Sequence, residues 1–176
     1  MRMPVYLVLF CLSAMFSTTA VAQTFNYPEE VRPTSLLPFF TDDMSSVRMT
    51  ELIFDSLVFQ NKRGEFKGGL ATSWRVDPDK RGIKFVLREG VSWHDGRAFT
   101  ADDVVFTVMA AQDPKTVFAE KGSYRFIREV RAEGKFGVHM MFTKPIPEPE
   151  RRFLFKIIPV LSFICLSACG RHDYSP

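Results

Sequence analysis

Cysteine is scarce in this chain, with three residues among 176. Cys11 lies in an apolar stretch near the N-terminus, and Cys165 and Cys169 lie close to the C-terminal end. The long middle of the sequence therefore has no cysteine with which to form a disulfide. Small secreted domains that depend on disulfides carry cysteines throughout their body. The sequence instead predicts a fold held together by an apolar core.

Charge of one sign is lacking as well. Lysine and arginine together number 23, aspartate and glutamate 20, and the formal net charge is +3. The basic residues are scattered and mostly interleaved with acidic ones. A nucleic-acid-binding domain needs clustered basic residues that face the phosphates. We therefore expect no nucleic-acid partner.

Catalytic and metal-binding motifs are also missing. The sequence contains neither G-x-S-x-G nor H-E-x-x-H, the patterns of many hydrolases and of zinc proteases. His94 and Asp95 are adjacent, which favours an Asp-Gly turn over a base and its orienting carboxylate. Cys165, Cys169 and His172 offer three ligands, whereas a structural zinc site needs four. We expect no enzyme activity, no metal and no cofactor.

The apolar run near the C-terminus is short. Residues Ile157–Ala168 contain no charge over 12 positions, whereas a membrane-spanning helix needs about 20 apolar residues. Pro159 also lies inside the run. The stretch therefore favours a buried strand or an irregular core segment over a membrane span.

The N-terminus has the three parts of a secretory signal peptide. Arg2 supplies the positive charge, Val5–Phe16 forms the apolar core, and Ala20–Ala22 has the small residues of a cleavage site. We assign residues 1–22 to the signal peptide and expect cleavage before Gln23. The alternative is a buried N-terminal strand or helix. Cleavage would place the mature protein in the periplasm or outside the cell, with length for one domain but not two.

The centre of the chain predicts two strands followed by a helix. Ser73–Val76 is the first strand, and Asp77–Gly82 is a polar turn. In the second strand Ile83, Phe85 and Leu87 alternate with more polar neighbours, a period of two that is typical of a half-buried strand. Gly90 ends this strand.

The helix that follows has clear boundaries in the sequence. Thr100 and Asp103 have the spacing of a capping box, and acidic residues at 102 and 103 suit the positive end of the helix dipole. Asp113 and Pro114 stop the helix. The expected apolar face consists of Val104, Val105, Val108 and Met109, with Phe106 beside it.

Other elements flank this centre. We predict a helix that Ser45 or Ser46 caps and that runs to about Leu57, with Val47, Thr50, Ile53, Phe54 and Leu57 on one face. A strand and turn cover Phe59–Gly64, a hairpin pairs Glu129–Ala132 with Val138–Phe142, and Lys144–Pro149 is a stiff proline-rich link.

The central motif resembles a known family. The run G-x-x-W-H-D-G-x-x-F-T-A-D-D-V-V-F, preceded by L-A-x-S-W and K-F-x-L-R-x-G, is similar to the pattern of the family 5 extracellular solute-binding proteins, the peptide- and nickel-type receptors of ABC importers. The residues that carry the pattern, expected to be structural, are Leu70, Ala71, Trp74, Gly90, His94, Asp95, Gly96, Phe99, Thr100, Asp103 and Val104.

The resemblance implies a mixed α/β (α+β) fold in which two lobes close over a ligand. Residues 23–162 would form the N-terminal part of lobe I, so the fold is incomplete here. Function would be capture of peptides or similar small solutes, as a monomer, for an ABC permease in the membrane. By the same resemblance the ligand cleft would be faced by Thr41, Asp42, Met44, Ser45, Ser46 and Val47.

The end of the chain departs from the family pattern. Residues 163–176 are apolar, then abruptly polar, which suggests a divergent tail produced by a frameshift or a truncated reading frame. The second function hypothesis follows from this: a truncated remnant without binding activity of its own.

Overall fold

The computed structural model describes residues 32–38, 43–114 and 124–160. Within these ranges the elements are α1 (Met44–Ile53), β1 (Val58–Gln60), β2 (Phe66–Gly68), β3 (Ala71–Val76), β4 (Gly82–Leu87), α2 (Ala101–Gln112), β5 (Ile127–Ala132), β6 (Gly137–Phe142) and a 3-10 helix (Pro149–Arg152). The signal peptide and the divergent tail expected from the sequence lie outside the described residues, as do Thr41 and Asp42.

The strands form two antiparallel sheets. The larger one has the order β3-β4-β6-β5, and β1 pairs with β2 in a small hairpin. Tight connections explain the outer pairs, since β3 and β4 are joined by the predicted turn at Asp77 and β5 and β6 by the predicted turn around Gly134. β4 and β6 then meet in the middle, with Phe85 opposite Val138. The two hairpins predicted from the sequence, β3–β4 and β5–β6, are thus confirmed, whereas the β4–β6 pairing was not predicted.

The core lies between one face of the larger sheet and α2. Ile83, Phe85 and Leu87 are buried on β4, as the alternation predicts, whereas Val86 points to the solvent side. On β6 the residues Val138, Met140 and Phe142 are buried in the same way. Phe153, which follows the 3-10 helix, packs edge-on against Phe85 with ring centroids 5.0 Å apart. Apolar burial of this kind is the main favourable contribution to folding.

Helix α2 begins and ends where the sequence predicts, at Ala101 and just before Asp113. Its buried face includes Val104, Val108 and Ala111, which follow the helical spacing of four and three residues. Met109 was expected on this face, but 61% of its surface is exposed. A residue five positions after Val104 points well away from it, since each residue turns the helix by about 100°.

Helix α1 differs more from the prediction. Its N-cap is Asp43 rather than Ser45 or Ser46, and it ends at Ile53 because Phe54 is extended, with φ −120° and ψ 145°. Leu57 is fully buried, but it lies beyond the helix. The predicted helix to Leu57 was therefore four residues too long.

The buried side of α1 agrees with the predicted face only in part. Thr50 is buried as predicted, but Ser45 and Ser46 are buried with it, whereas Val47 is exposed. The hydroxyl of Ser46 bonds Asp43, and that of Thr50 bonds the carbonyl of Val47 at 2.9 Å. Hydrogen bonding removes most of the cost of burying these hydroxyls, which is why a polar face can turn inward here.

The segment after the 3-10 helix enters the core without regular structure. Ser56 and Lys156 form an isolated antiparallel bridge, and Ile157 and Ile158 are fully buried. This confirms an irregular core segment for the first part of the 157–168 run, whose residues from 161 on lie outside the described ranges. Within those ranges, no helix combines the length and the apolarity needed to cross a membrane.

Candidate functional site

The motif loop between β4 and α2 contains a tight turn. The N–H of Trp93 donates to the carbonyl of Arg97 at 2.8 Å, and the N–H of Gly96 donates to the carbonyl of Trp93 at 2.9 Å. Gly96 has φ +83°, a conformation that glycine adopts without the penalty of a Cβ atom. The Asp-Gly turn predicted from the sequence is present.

Asp95 bonds Arg97 rather than His94. Arg97 donates to it from the backbone N–H at 3.0 Å and from Nε at 2.8 Å. These bonds hold the pKa of the Asp95 carboxyl below its ordinary value because they favour the charged form. The carboxylate is thus already engaged by a guanidinium, and the geometry favours a structural role for the pair over a catalytic one.

Asp103 connects the motif loop to two other parts of the chain. Its side chain is buried and accepts hydrogen bonds from the backbone N–H of Thr100 at 3.0 Å and from Nε1 of Trp93 at 3.2 Å. A third bond comes from the backbone N–H of Val160 at 3.0 Å. The Thr100–Asp103 capping box is confirmed. The Asp103 carboxylate also holds the motif loop and the segment that follows the 3-10 helix.

The N-terminus of α1, where ligand contacts were predicted, is organised by Asp43. This carboxylate accepts from the backbone N–H of Ser46 at 2.8 Å, from the Ser46 hydroxyl at 2.6 Å and from the Thr34 hydroxyl at 2.5 Å. These hydrogen bonds, that of the Ser46 hydroxyl first, hold the pKa of Asp43 well below its usual range. The Ser46 hydroxyl also accepts from the N–H of Ser35 at 3.1 Å.

The predicted ligand residues therefore divide into two groups. Ser45 and Ser46 are buried, and the Ser46 hydroxyl serves the helix cap, while Met44 and Val47 are exposed. Sequence reasoning missed Asp43 because the two serines that follow it are equally good caps. The available clue was that Asp43 stands three residues before Ser46. An N-cap side chain can accept a hydrogen bond from the backbone N–H three residues later, and aspartate is as good an N-cap as serine.

A cavity of about 210 Å³ lies near the other end of α1. Its apolar lining consists of Leu52, Ile53, Leu70, Val91, Trp93 and Phe99, and its polar lining of Asp55, Ser92 and His94. Four motif residues, at positions 70, 93, 94 and 99, thus share one cavity. A helix of ten residues is about 15 Å long, so Met44 and the cavity mark opposite ends of α1.

A second polar cluster crosses the larger sheet. Nε2 of His139 lies 2.9 Å from Oδ2 of Asp77, and Nδ1 of His139 lies 3.7 Å from Oε1 of Glu133. Lys84 donates to Glu133 at 2.5 Å, and this bond is the main reason that the pKa of Glu133 is below its ordinary value. Nothing in the sequence pattern indicates this cluster, because Asp77 and His139 are 62 residues apart.

Metal binding finds no support in these clusters. The two carboxylates beside His139 face opposite nitrogens of its ring, so they do not converge on one point. Across the part of the chain that the structure describes, no three side chains of His, Cys, Asp or Glu are grouped so that they could hold a metal ion.

Comparison with known proteins identifies the family. Residues 65–168 match the model of bacterial extracellular solute-binding proteins, family 5, middle part. The chain belongs to this family. The motif loop, the Asp103 contacts and the larger sheet all lie in the matched range, so they are features of a family 5 solute-binding protein.

Among similar proteins, the periplasmic murein peptide-binding protein MppA of Escherichia coli is 36% identical over 85 residues, which is 48% of this chain and 16% of that protein. The dipeptide-binding protein of Escherichia coli is 30% identical over 135 residues, covering 67% of this chain and 25% of that protein. The structure of NikZ from Campylobacter jejuni in complex with Ni(L-His) superposes with a TM-score of 0.64 at 26% identity, over 74% of this chain and 26% of that one.

The chain thus spans about a quarter or less of the length of these relatives. Its mixed α/β fold corresponds to one part of a two-lobed periplasmic binding protein. This confirms the mixed α/β fold class that the resemblance implied.

Proposed function

We propose that this chain is the substrate-binding component of an ABC importer, which captures peptides or similar small solutes outside the cytoplasmic membrane. The match of residues 65–168 to family 5 carries this proposal. Two of the relatives, MppA and the dipeptide-binding protein of Escherichia coli, are named as peptide binders, which favours peptides as the solute class. The bound solute would pass to a permease complex in the membrane.

A binding role without catalysis fits the chemistry of the motif. Asp95 is engaged by Arg97, and Asp103 by three N–H donors. Neither acid is positioned to activate a nucleophile next to His94. The side chains that the sequence offers for catalysis therefore support the fold, as expected for a receptor that works as a monomer and needs no cofactor.

Export is part of the same proposal. Cleavage after Ala22 would release a mature chain that begins at Gln23 and works in the periplasm or outside the cell. We assign residues 23–162 to the N-terminal part of lobe I and residues 163–176 to a divergent tail.

We place the ligand contacts of this part of the receptor at the N-terminus of α1. Met44 and Val47 are exposed there, and Thr41 and Asp42, which precede them in the sequence, are proposed as further contacts. Ser45 and Ser46 are buried, so they would act indirectly, by stabilising the first turn of α1. The Asp43 network makes this region rigid, and rigid groups lose less entropy when they bind a ligand.

The alternative hypothesis is a remnant without independent binding activity. Two-lobed receptors enclose their ligand from both sides. A micromolar site is worth about 8 kcal/mol, so losing half of its contacts weakens the dissociation constant to about 1 mM or beyond. This chain alone should then bind short peptides no more tightly than that.

Two measurements separate these hypotheses. Calorimetry on residues Gln23–Pro176 with short peptides is the first: a saturable low-micromolar isotherm supports the receptor, and the absence of any dissociation constant below about 1 mM supports the remnant. Deletion of the gene tests the role in the cell. Reduced uptake of labelled peptides supports the importer, and unchanged uptake supports the remnant.

A further inference from the structure

We propose that the cavity beside the C-terminal end of α1 binds a small primary ammonium ion that carries an apolar body. The cavity has a volume of about 210 Å³, whereas drug-sized pockets measure about 300–1,000 Å³. It therefore suits a fragment-sized molecule. This proposal goes beyond solute capture at Met44 and Val47, because the cavity lies at the other end of the helix.

The apolar body would meet a wall that is already in place. Trp93 is held by its hydrogen bond to Asp103 and by an edge-on contact with Phe99, with ring centroids 6.0 Å apart. Leu70 and Phe99 are buried in the core. Since these side chains are held by other contacts, binding costs little additional ordering.

The charge preference comes from Asp55. Asp55 is exposed, and within the described residues no hydrogen bond or ion pair engages its carboxylate, unlike those of Asp43, Asp95 and Asp103. Its position is nevertheless defined, because its backbone carbonyl accepts the N–H of Ile157 at 3.0 Å. An unpaired carboxylate at an apolar cavity attracts a cation, and a tryptophan ring adds a cation–π attraction.

Ser92 and His94 complete the polar side of the cavity. A hydroxyl and an imidazole can both accept a hydrogen bond, and a primary ammonium group has three N–H groups to donate. His94 is a motif residue whose neighbour Asp95 is bonded to Arg97. The cavity gives His94 itself a role at a binding site. An anionic ligand of the same shape would be repelled by Asp55.

The probe for the test is 2-phenylethylamine, titrated into the whole ¹⁵N-labelled chain and followed by NMR. The chain has two tryptophans, so the indole N–H signal of Trp93 is readily assigned. We expect saturable shifts of this signal with a dissociation constant on the order of 1 mM, the usual strength of a ligand of this size. The charge-reversed probe 3-phenylpropionate should shift it at least tenfold less at equal concentration.

Variants of Asp55 test whether the ammonium group binds beside this carboxylate. Asp55→Asn should weaken binding about threefold, because Asp55 is exposed and exposed charge pairs are weakened by solvent, and Asp55→Glu should restore most of it. Asp102→Asn is the matched control and should bind as the unaltered chain does, since Asp102 is exposed and does not line the cavity. An unchanged spectrum of the free Asp55→Asn chain shows that it is folded.

The ammonium could come from a free amine or from a peptide N-terminus, and phenylalanine amide compared with its N-acetyl form separates these sources. Binding of either ammonium with loss on acetylation supports the proposal. The proposal is overturned if the Trp93 signal stays unchanged up to about 20 mM amine, well above the expected constant, or if phenylpropionate binds equally well. It is also overturned if folded Asp55→Asn binds with unaltered affinity.

Discussion

Nε1 of Trp93 donates a hydrogen bond to Oδ2 of Asp103 across 3.2 Å, joining the motif loop to the first turn of α2. The same oxygen accepts the N–H of Thr100, and the other oxygen accepts that of Val160. One buried carboxylate thus holds a turn, a helix start and the segment that follows the 3-10 helix. This is the physical reason for a tryptophan and an aspartate ten residues apart in the motif.

Replacing Asp103 should therefore be costly. Asp103→Ala leaves three partly buried N–H donors without their acceptor, and a fully buried unsatisfied donor costs about 1–3 kcal/mol. We expect a loss of about 2 kcal/mol or more in the free energy of unfolding, measured by urea denaturation. Asp102→Ala is the control and should cost less than about 1 kcal/mol, the contribution of one charge at a helix start. Equal losses in both variants would contradict the assignment.

Thr100→Ala should have a smaller effect. This change removes the hydroxyl of the N-cap residue but leaves the backbone N–H that donates to Asp103, so we expect a loss of about 1 kcal/mol. Asp95→Ala should act through the turn, because Asp95 bonds Arg97. Urea titrations of both variants measure these losses. Loss of a catalytic activity in Asp95→Ala at unchanged stability would refute the structural role of the His94–Asp95 pair.

Asp43 should make stability depend on pH in the acid range. Hydrogen bonds from Ser46 and Thr34 lower its pKa in the folded chain from the ordinary value of 3.8. As the pH falls below about 4, the unfolded chain takes up the proton first, so the stabilisation from Asp43 is complete above this pH and is lost below it. Asp43→Asn keeps a good cap without the charge. Between pH 5 and pH 2 its urea midpoint should fall less than that of the unaltered chain, and parallel curves would argue against this role.

Gly82 should not accept a side chain. A Cβ atom there would lie 2.2 Å from Oδ2 of Asp77 and 3.0 Å from Nε2 of His139. Gly82→Ala should destabilise the chain by about 1–3 kcal/mol, the usual cost of overpacking. The added cost should shrink in an Asp77→Ala background, because the nearest atom is then gone, and a double-mutant cycle measures that coupling. Strict additivity would count against the proposed clash.

Export should yield a mature N-terminus at Gln23. The positive charge, apolar core and small residues at 20–22 have the order that signal peptidase recognises. Mass spectrometry of the cell-associated protein should therefore find no peptide that contains Arg2. Recovery of the intact N-terminus would show that these residues are retained.

Local features were predicted best. The alternation of Ile83, Phe85 and Leu87 placed β4 and its buried face correctly, because the side-chain period of a strand is two residues. Thr100 and Asp103 placed the start of α2, and Pro114 its end, because caps and breakers act within a few residues. The family pattern likewise lies in one continuous stretch.

The end of α1 was not predictable in this way. Serines 45 and 46 look like caps, and the apolar residues up to Leu57 look like a helical face. The chain instead leaves the helix at Phe54, and Ser56 pairs with Lys156, 100 positions later. A partner so distant in sequence leaves no mark on local spacing.

By itself, then, the sequence determined strands β3 to β6, the β3–β4 and β5–β6 hairpins, the limits of α2 and the family, since each depends on neighbours within one element or one motif. Tertiary structure alone decided that Asp103 holds Trp93 and Val160, that Asp77 meets His139, and that Asp55 and His94 line one cavity. These contacts join residues from separate elements, and only the packing of the sheet against α2 and the C-terminal segment brings them within hydrogen-bonding distance or around a shared space.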